Sequence, residues 1–504
     1  MILTEQKIRK IYNKYVLKAE RKYFNKSYSD CLQYLKVSAH TGYYFYLGYR
    51  DNDIESILFK VSNKLKHVEK YLPSNGNGFV FYDSFSIDNG GLVQQYLSAL
   101  IASKYEITYI TERYDFLNKK SAIRDMLESY GDVSIIVVPS GMSLFQKSQF
   151  VYDSIVKVNT DKLLIHTNPS AVYANTAFYA LPKEIIRYKI NLTDHTFWIG
   201  AGCFDYSFEF RPFGCTLSSL KRGIANDKIF YLPFYPIMNK KGFRGFPEKA
   251  LGKVKLFSGG AYYKVFDTDD TFFKLTKAIL EKCPNIIILY AGIGEPQKMI
   301  NKIIEYGMES RFLLLGERND ITEVFENCDI YLNTFPFGGG LMSQYAAQLG
   351  KPIVNYCTPT TAKVEEFVCQ RGYIELSSEI MSDVVDKVKL LSDSVELRDE
   401  LGKQIKSCVI SPDVFCEKFK LCIDTRRNQI PYIDNSSLEE HTMDIQDKLN
   451  YDSTSKEFAR SISKILGVKT FLLEPLLFFD AIKVVIKDNR LKSVIINNIK
   501  NIGK

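Results

Sequence analysis

CDIYLNTFPFGGGLMSQYAAQLGKPIVNY, residues 328–356, is the stretch whose reading decides the fold. An apolar run ends at Asn333, a loop carries Gly338, Gly339 and Gly340, and a helical pattern follows at once. A second apolar run, KPIVNY (351–356), closes the unit. Strand, helix, strand with continuous apolar runs is the signature of parallel strands buried on both faces. Three successive glycines at the carboxyl end of a strand let a ligand approach the backbone. The helix start behind them offers free N–H groups and the positive end of its dipole, which suits a phosphate or diphosphate. It is not a Walker loop, because no Gly-Lys-Ser/Thr follows.

The same pattern extends in both directions. VKLFSG (254–259), NIIILYAG (285–292) and RFLLLG (311–316) read as further strands, with helices near 268–282, 295–307, 340–349 and 377–392. Upstream, PFYPIMNKKGFRGFPEKALG (233–252) is rich in Pro, Gly and charge and reads as a linker. Before it the alternation occurs again: FVFYD (79–83), EITYIT (106–111), VSIIVVP (133–139), KLLIHT (162–167) and IIRYKINL (185–192) are strands, with helices near 91–103, 118–130 and 145–157. Residues 1–70 and those after about 394 carry helical spacing only. The expected fold class is α/β: two Rossmann-like, doubly wound domains facing a cleft, with a helical N-terminal cap and a helical C-terminal extension. The expected boundaries are 1–70, 71–236, 237–425 and 426–504. In open sheets of this kind ligands bind at the carboxyl ends of the strands.

Composition narrows the class. The 504 residues are 46% hydrophobic and 25% charged, which excludes a disordered or collagen-like chain. No stretch reaches the ~18 apolar residues that a membrane span needs. MILTEQKIRKIYNKYVLKAERK at the start has no apolar core of a secretory signal. Ten cysteines without a CxxC pair and five scattered histidines argue against a zinc site or a disulfide scaffold, and point to a reducing cytoplasm. The net charge of +8 is mild, and half of it falls in Val468–Lys504, with seven Lys/Arg against three Asp/Glu. No nucleic-acid partner is expected from so small an excess.

The 328–356 segment resembles the nucleotide-sugar site of GT-B glycosyltransferases. Its TFPFGG and helix-GKPIV pattern is most similar to bacterial protein N-glucosyltransferases and O-GlcNAc transferases. The resemblance implies a metal-independent hexosyltransferase without a cofactor. Its co-substrate would be a nucleotide-diphosphate sugar, most simply UDP-linked, and its acceptor a hydroxyl of a glycan, lipid-linked or protein acceptor, as in bacterial surface-polysaccharide assembly. It makes 71–236 the acceptor domain and 237–425 the donor domain. It also implies that Gly338, Gly339, Gly340, Leu341, Met342 and Ser343 hold the donor diphosphate. Many relatives carry a ribose-binding carboxylate five residues before the helix-ending glycine; here that glycine is Gly350 and the position is Tyr345. A UDP-sugar 2-epimerase and a non-catalytic scaffold are the competing readings on the same fold.

Other loops at carboxyl ends add candidates. In SGGAYYKV (258–265), Gly259 and Gly260 clear space, and similar transferases have a basic residue there, matched by Lys264, to neutralise the departing diphosphate. DTDD (267–270) reads as a helix cap rather than a metal site, and no metal is assigned. In similar enzymes the loop equivalent to GERND (316–320) edges the nucleotide base, which makes Arg318 the candidate there; a helix start capped by Asn319 or Asp320 is the other reading. In GT-B proteins the loop matching SFSIDNGGLV (84–93) touches the acceptor or donor sugar, which makes Asp88, Asn89, Gly90 and Gly91 candidates; a plain helix cap is the other reading of Asp88 and Asn89. NLTDHTFWIG (191–200) carries Asp194, His195 and the only tryptophan, Trp198. Either of the first two is a candidate general base for the acceptor hydroxyl, and Trp198 is a candidate sugar contact. His166 is a weaker rival to His195, and Arg211 reads as a surface ion pair or a second anion contact. The basic, apolar tail 469–504 suits packing on the protein body, with an anionic membrane surface as the alternative. An oligomer is left open, and the expected place is the cytoplasm or the inner face of its membrane.

Overall fold

The structure, a computed structural model, describes residues 3–86, 93–119, 121–359, 361, 363–429 and 451–487, and the side chains of all these except 451–453 and 483–487. Asp88, Asn89, Gly90 and Gly91 lie outside the described residues.

Three helices open the chain: α1 (Glu5–Phe24), α2 (Tyr28–Tyr44) and α3 (Asn52–Ser62). Their apolar residues recur at three- and four-residue spacing, so Ile8, Ile11, Tyr12, Tyr15 and Ala19 of α1 fall on one buried face. Asp51 starts α3 by accepting the amides of Asp53 and Ile54, each at 2.9 Å.

The first sheet has β1 (Gly78–Asp83), β2 (Glu106–Thr111), β3 (Val133–Val137), β4 (Lys162–His166), β5 (Ile186–Asn191), β6 (Tyr206–Glu209) and β7 (Ile229–Tyr231) in the order β3-β2-β1-β4-β5-β6-β7. All its neighbours pair in parallel. The second sheet has β8 (Val254–Gly259), β9 (Ile286–Ala291), β10 (Phe312–Gly316), β11 (Ile330–Leu332), β12 (Ile353–Tyr356) and β13 (Ser377–Ser378) in the order β10-β9-β8-β11-β12-β13, again parallel. The expected fold class is therefore the observed one. Three strands extend the sheets beyond the expected ten-strand pattern. β6, β7 and β13 have four, three and two residues, too short to stand out as apolar runs. At β13 the polar pair Ser377–Ser378 precedes a helix that begins at Met381 rather than 377.

In each sheet the strand order reverses beside its first strand, between β1 and β4 and between β8 and β11. These are the switch points where a crevice opens above the carboxyl ends.

Two segments cross between the parts. The helix Pro412–Thr425 packs on the first sheet, not the second: Phe415 and Phe419 close on Tyr96 at 5.2 and 5.9 Å between ring centroids. Burying each such ring contributes about 1.5–3 kcal/mol. The helices Tyr451–Leu466, Lys469–Leu473 and Pro475–Lys487 fold onto the cap. Phe458, Ala459, Ile462, Leu466, Leu477 and Ala481 are buried with the cap's apolar residues, and Lys469–Asp30 (2.9 Å) and Lys14–Glu474 (2.6 Å) fix the alignment.

Within the second domain the turn after the helix Gly340–Gln348 presses on the helix Val395–Cys408. A β-carbon added at Gly402 would fall on the carbonyl of Gly350. Gly402→Ala is therefore expected to lower unfolding free energy by about 1–3 kcal/mol, read as a drop in the denaturant midpoint at unchanged slope.

Candidate functional site

The second sheet's switch point brings the expected phosphate loops together. Asn333, just past β11, accepts the Gly339 amide at 2.9 Å and donates to the Asn355 side chain at 2.9 Å, so it pins the glycine loop to two strands. The helix Gly340–Gln348 starts on that loop. Its first internal bond runs from Ser343 N–H to Gly339 O at 2.8 Å. That leaves the amides of Gly340, Leu341 and Met342 outside the helix's own ladder.

From the neighbouring strand, Gly259 lies against the Ala291 carbonyl and Met342, where an added β-carbon would sit at 2.8 and 3.0 Å. Only a glycine lets β8 turn that close. Lys264 then reaches the glycine loop: its Nζ is 3.4 Å from Gly338 O, and its own carbonyl accepts the Phe337 amide at 3.2 Å. Among the described residues no carboxylate stands within 4 Å of this ammonium. Burial lowers its pKa. A cation without a carboxylate partner and a helix start aimed at one place make an anion-binding arrangement.

The opposite wall comes from the first domain. Asp194 is fully buried and takes a two-pronged hydrogen bond from Arg211, Nε to Oδ2 at 2.5 Å and Nη2 to Oδ1 at 2.9 Å. Burial alone would push its carboxyl up, but the guanidinium and the hydrogen bonds from His195 and Arg211 outweigh that and hold it far below the ordinary range. Asp194 Oδ1 also meets His195 Nδ1 at 3.2 Å. The imidazole is 43% exposed, so the carboxylate orients one ring nitrogen while much of the ring stays open to solvent.

A line of contacts joins the two walls. Arg211 lies 5.1 Å from the Phe367 ring and 3.7 Å from Glu366 of the second domain. Phe367 in turn abuts Gly340, where an added β-carbon would meet the ring at 2.8 Å. The helix start and the histidine are thus positioned through one arginine and one phenylalanine.

Beneath them lies a buried polar layer. Glu209, at the end of β6, accepts from Asn191, Ser207 and Ser218. Burial nonetheless pushes its carboxyl up to about 7, against those bonds and the Arg222 charge. Arg222 donates to the carbonyls of Asp194 and Thr196 at 2.6 and 2.8 Å. Trp198 is 2% exposed and lies between Arg222 (4.7 Å) and Lys189 (5.2 Å). The expectation that it contacts a sugar is thereby corrected: it floors the layer, its faces taken by two cations.

The other expected residues fall as follows. Tyr345 is buried, stacked on Phe325 at 5.9 Å, and its hydroxyl donates to Ile237 O at 3.0 Å, so the position is occupied by core packing rather than open to a ribose. Arg318 is spent on Asp320, with bonds of 2.7 and 2.6 Å, and on Gly245 O at 2.9 Å. It fastens the interdomain linker instead of facing a base. Asp267 caps the following helix through the Thr271 amide at 2.9 Å, and Asp270 pairs with Lys302 at 2.5 Å. His166 is buried with Nδ1 2.9 Å from Asp83, whose other oxygen accepts from Tyr109 at 2.7 Å. Arg211 is an ion pair, but a buried one. Asn333, Arg222, Glu366 and Phe367 went unread in the sequence, since single polar or aromatic residues carry no periodicity.

No family model matches the chain, and no curated protein matches it either. Solved structures do resemble it. HepE of Anabaena in complex with UDP and glucose aligns at a TM-score of 0.52 and 12% identity over 69% of this chain and 99% of that one. A glycosyltransferase from Rickettsia africae aligns at 0.50 and 12% over 69% and 98%. O-GlcNAc transferase of Thermobaculum terrenum aligns at 0.47 and 14% over 85% and 78%. The chain has the two-domain fold of GT-B glycosyltransferases.

Glu209 supplies a pH test. Its folded pKa of about 7 lies above its ordinary 4.5, so its contribution to stability is fully present below 4.5 and is lost as pH rises to 7. Glu209→Gln is expected to flatten the fall of melting temperature across that window; an unchanged slope would assign it to other groups.

Proposed function

We propose that this chain is a glycosyltransferase that moves a sugar from a UDP-linked donor to a hydroxyl of a glycan, glycolipid or protein acceptor. The observation that carries the reading is the convergence of Lys264 and the start of the helix Gly340–Gln348 at one switch point, opposite His195. The donor diphosphate lies on Gly259, Gly260 and Gly338–Gly340 and on the amides of Leu341 and Met342, with Ser343 behind them. In an inverting displacement His195 removes the acceptor hydroxyl proton and the freed oxygen attacks the anomeric carbon. The bond from that carbon to the diphosphate oxygen then breaks. The negative charge arriving on the leaving diphosphate is met by Lys264 and the helix amides, the kind of preorganised stabilisation that lowers barriers most. As the likeness to GT-B glycosyltransferases implies, no metal is assigned. Asp194 acts through His195, holding its tautomer and direction. Asp88, Asn89, Gly90 and Gly91 remain assigned to the sugar or acceptor side.

UDP is expected to raise the melting temperature of the wild type by mass action. Lys264→Ala should weaken UDP binding roughly 10- to 100-fold, the loss of one charged hydrogen bond. His195→Ala should leave UDP binding intact while cutting turnover about 10²-fold or more. Equal loss of UDP binding in both variants would place His195 on the wrong wall, and no shift with UDP would overturn the donor site.

The reading places the enzyme in the cytoplasm, on the inner face of a membrane, in surface-polysaccharide assembly. Ten free cysteines support a reducing compartment. No helix among the described residues is long and apolar enough to cross a membrane. Yet Val468, Phe471, Leu472, Leu476 and Phe479 are all at least half exposed on the helices that follow the cap contact, next to Lys469 and ahead of the basic end of the chain. Such a face suits an anionic lipid surface. Flotation with phosphatidylglycerol vesicles is expected to carry the wild type and to lose the Leu472→Glu/Leu476→Glu variant, whose two side chains are 80% and 61% exposed. Equal flotation of both proteins, or of neither, would remove the membrane role.

A further inference from the structure

The cleft has a third wall, and the cap builds it. The carboxyl end of α2 sits directly on the segment that holds His195. Thr196 donates to the Tyr43 carbonyl at 3.4 Å, and the Phe197 ring fills the space where Gly42 lacks a β-carbon, 2.7 Å from an added one. The chain then turns through Tyr46, which takes a left-handed backbone (φ 50°), with Gly48 N–H donating to Tyr46 O at 2.9 Å. An aromatic residue rarely occupies that region, and such outliers gather where a side chain must be aimed. Tyr49 follows, with the Arg222 guanidinium 5.2 Å from its ring. Arg222 is the group that holds the Asp194 carbonyl, so Tyr49 stands over the histidine's support.

On the donor side stands Tyr263, the residue next to Lys264. It is 64% exposed and lies 5.9 Å from Phe337, just ahead of the glycine loop. Tyr43 and Tyr46 are both within electrostatic reach of Tyr263, and Tyr46 is within reach of Tyr43 and Tyr49. A rank of tyrosines therefore runs from the donor loop to the histidine, each ring half-buried or exposed.

We propose that Tyr43, Tyr46 and Tyr49 of the cap, with Tyr263 opposite, form an aromatic collar that seats the acceptor as a pyranose ring and presents one of its hydroxyls to His195. The inference rests on the glycosyltransferase reading and deepens it by naming the acceptor class: a sugar. A pyranose has a C–H face that packs flat on an aromatic ring, and an edge of hydroxyls that exchange hydrogen bonds with phenols. Tyrosine, apolar across its face and polar at its tip, matches both. A lipid chain would call for an apolar trough without phenols, and an extended peptide for a sheet edge. The position is the third observation: Tyr43 is hydrogen-bonded through its carbonyl to Thr196, the residue after His195, and Tyr263 directly precedes Lys264 in the chain.

Saturation-transfer NMR tests this on the full-length protein in the presence of UDP, with methyl pyranosides of glucose, galactose, mannose and N-acetylglucosamine as probes. At least one is expected to receive saturation on the C–H protons of a single ring face. The effect should fall several-fold in Tyr46→Leu and in Tyr43→Leu and stay unchanged in Tyr373→Ala, a 74% exposed tyrosine of the second domain. Transfer to none of the probes, or transfer undiminished in both cap variants, overturns the collar. The wild-type measurement stands even where a variant folds poorly. The UDP melting shift is read on the same samples. Its absence from the wild type counts against the donor site, while a retained shift without saccharide contact counts against the collar alone.

Discussion

The buried ion pair between Asp194 and Arg211 is the contact on which the rest of the cleft depends. Taking two charges out of water costs several kcal/mol per ion, and only close geometry and further hydrogen bonds offset it. Both conditions are met: the pair is two-pronged, and each partner has other work. Asp194 orients His195 through its side chain and receives Arg222 on its carbonyl. Arg211 reaches across the seam to Glu366 and Phe367. Remove the arginine and a buried carboxylate is stranded beside the histidine. Remove the carboxylate and a buried guanidinium faces a glutamate whose own carboxyl burial already pushes up to about 7.

The second domain is shaped by close backbone approach rather than by charge. Gly259 against the Ala291 carbonyl, and Gly340 against Phe367, remove side chains where the strand-end loops crowd together. Asn333 then ties the glycine loop to β12 through Asn355, so the helix start is held by strands and not by the loop itself. A site built this way is stiff before any ligand arrives, which is what preorganised charge stabilisation requires.

Much of this was legible in the residues. Ten of the thirteen strands among the described residues announced themselves as apolar runs, because parallel strands under helices bury both faces. The glycines of 338–340 stood out as a run at a strand end, and Lys264 through the likeness to similar transferases. Trp198, Tyr345 and Arg318 did not reveal themselves, for one shared reason: each is a large, partly polar side chain whose role depends on what lies across the fold. Trp198 between two cations, Tyr345 on the linker carbonyl and Arg318 on Asp320 are long-range contacts that no local pattern encodes. The helix Pro412–Thr425 was equally silent about which sheet it joins, since an apolar face fits either core.

The sequence by itself determined the two doubly wound domains, the glycine loops at strand ends and the helical ends, because periodicity and glycine placement are local consequences of backbone geometry. Only the tertiary structure decided that His195 is the exposed partner and Asp194 the buried one. It alone brought Lys264 to the glycine loop and set the end of α2 on the segment that carries His195. Burial, ion pairing and the meeting of segments over a hundred residues apart are properties of the packed chain, and they choose which of several plausible side chains faces the ligand.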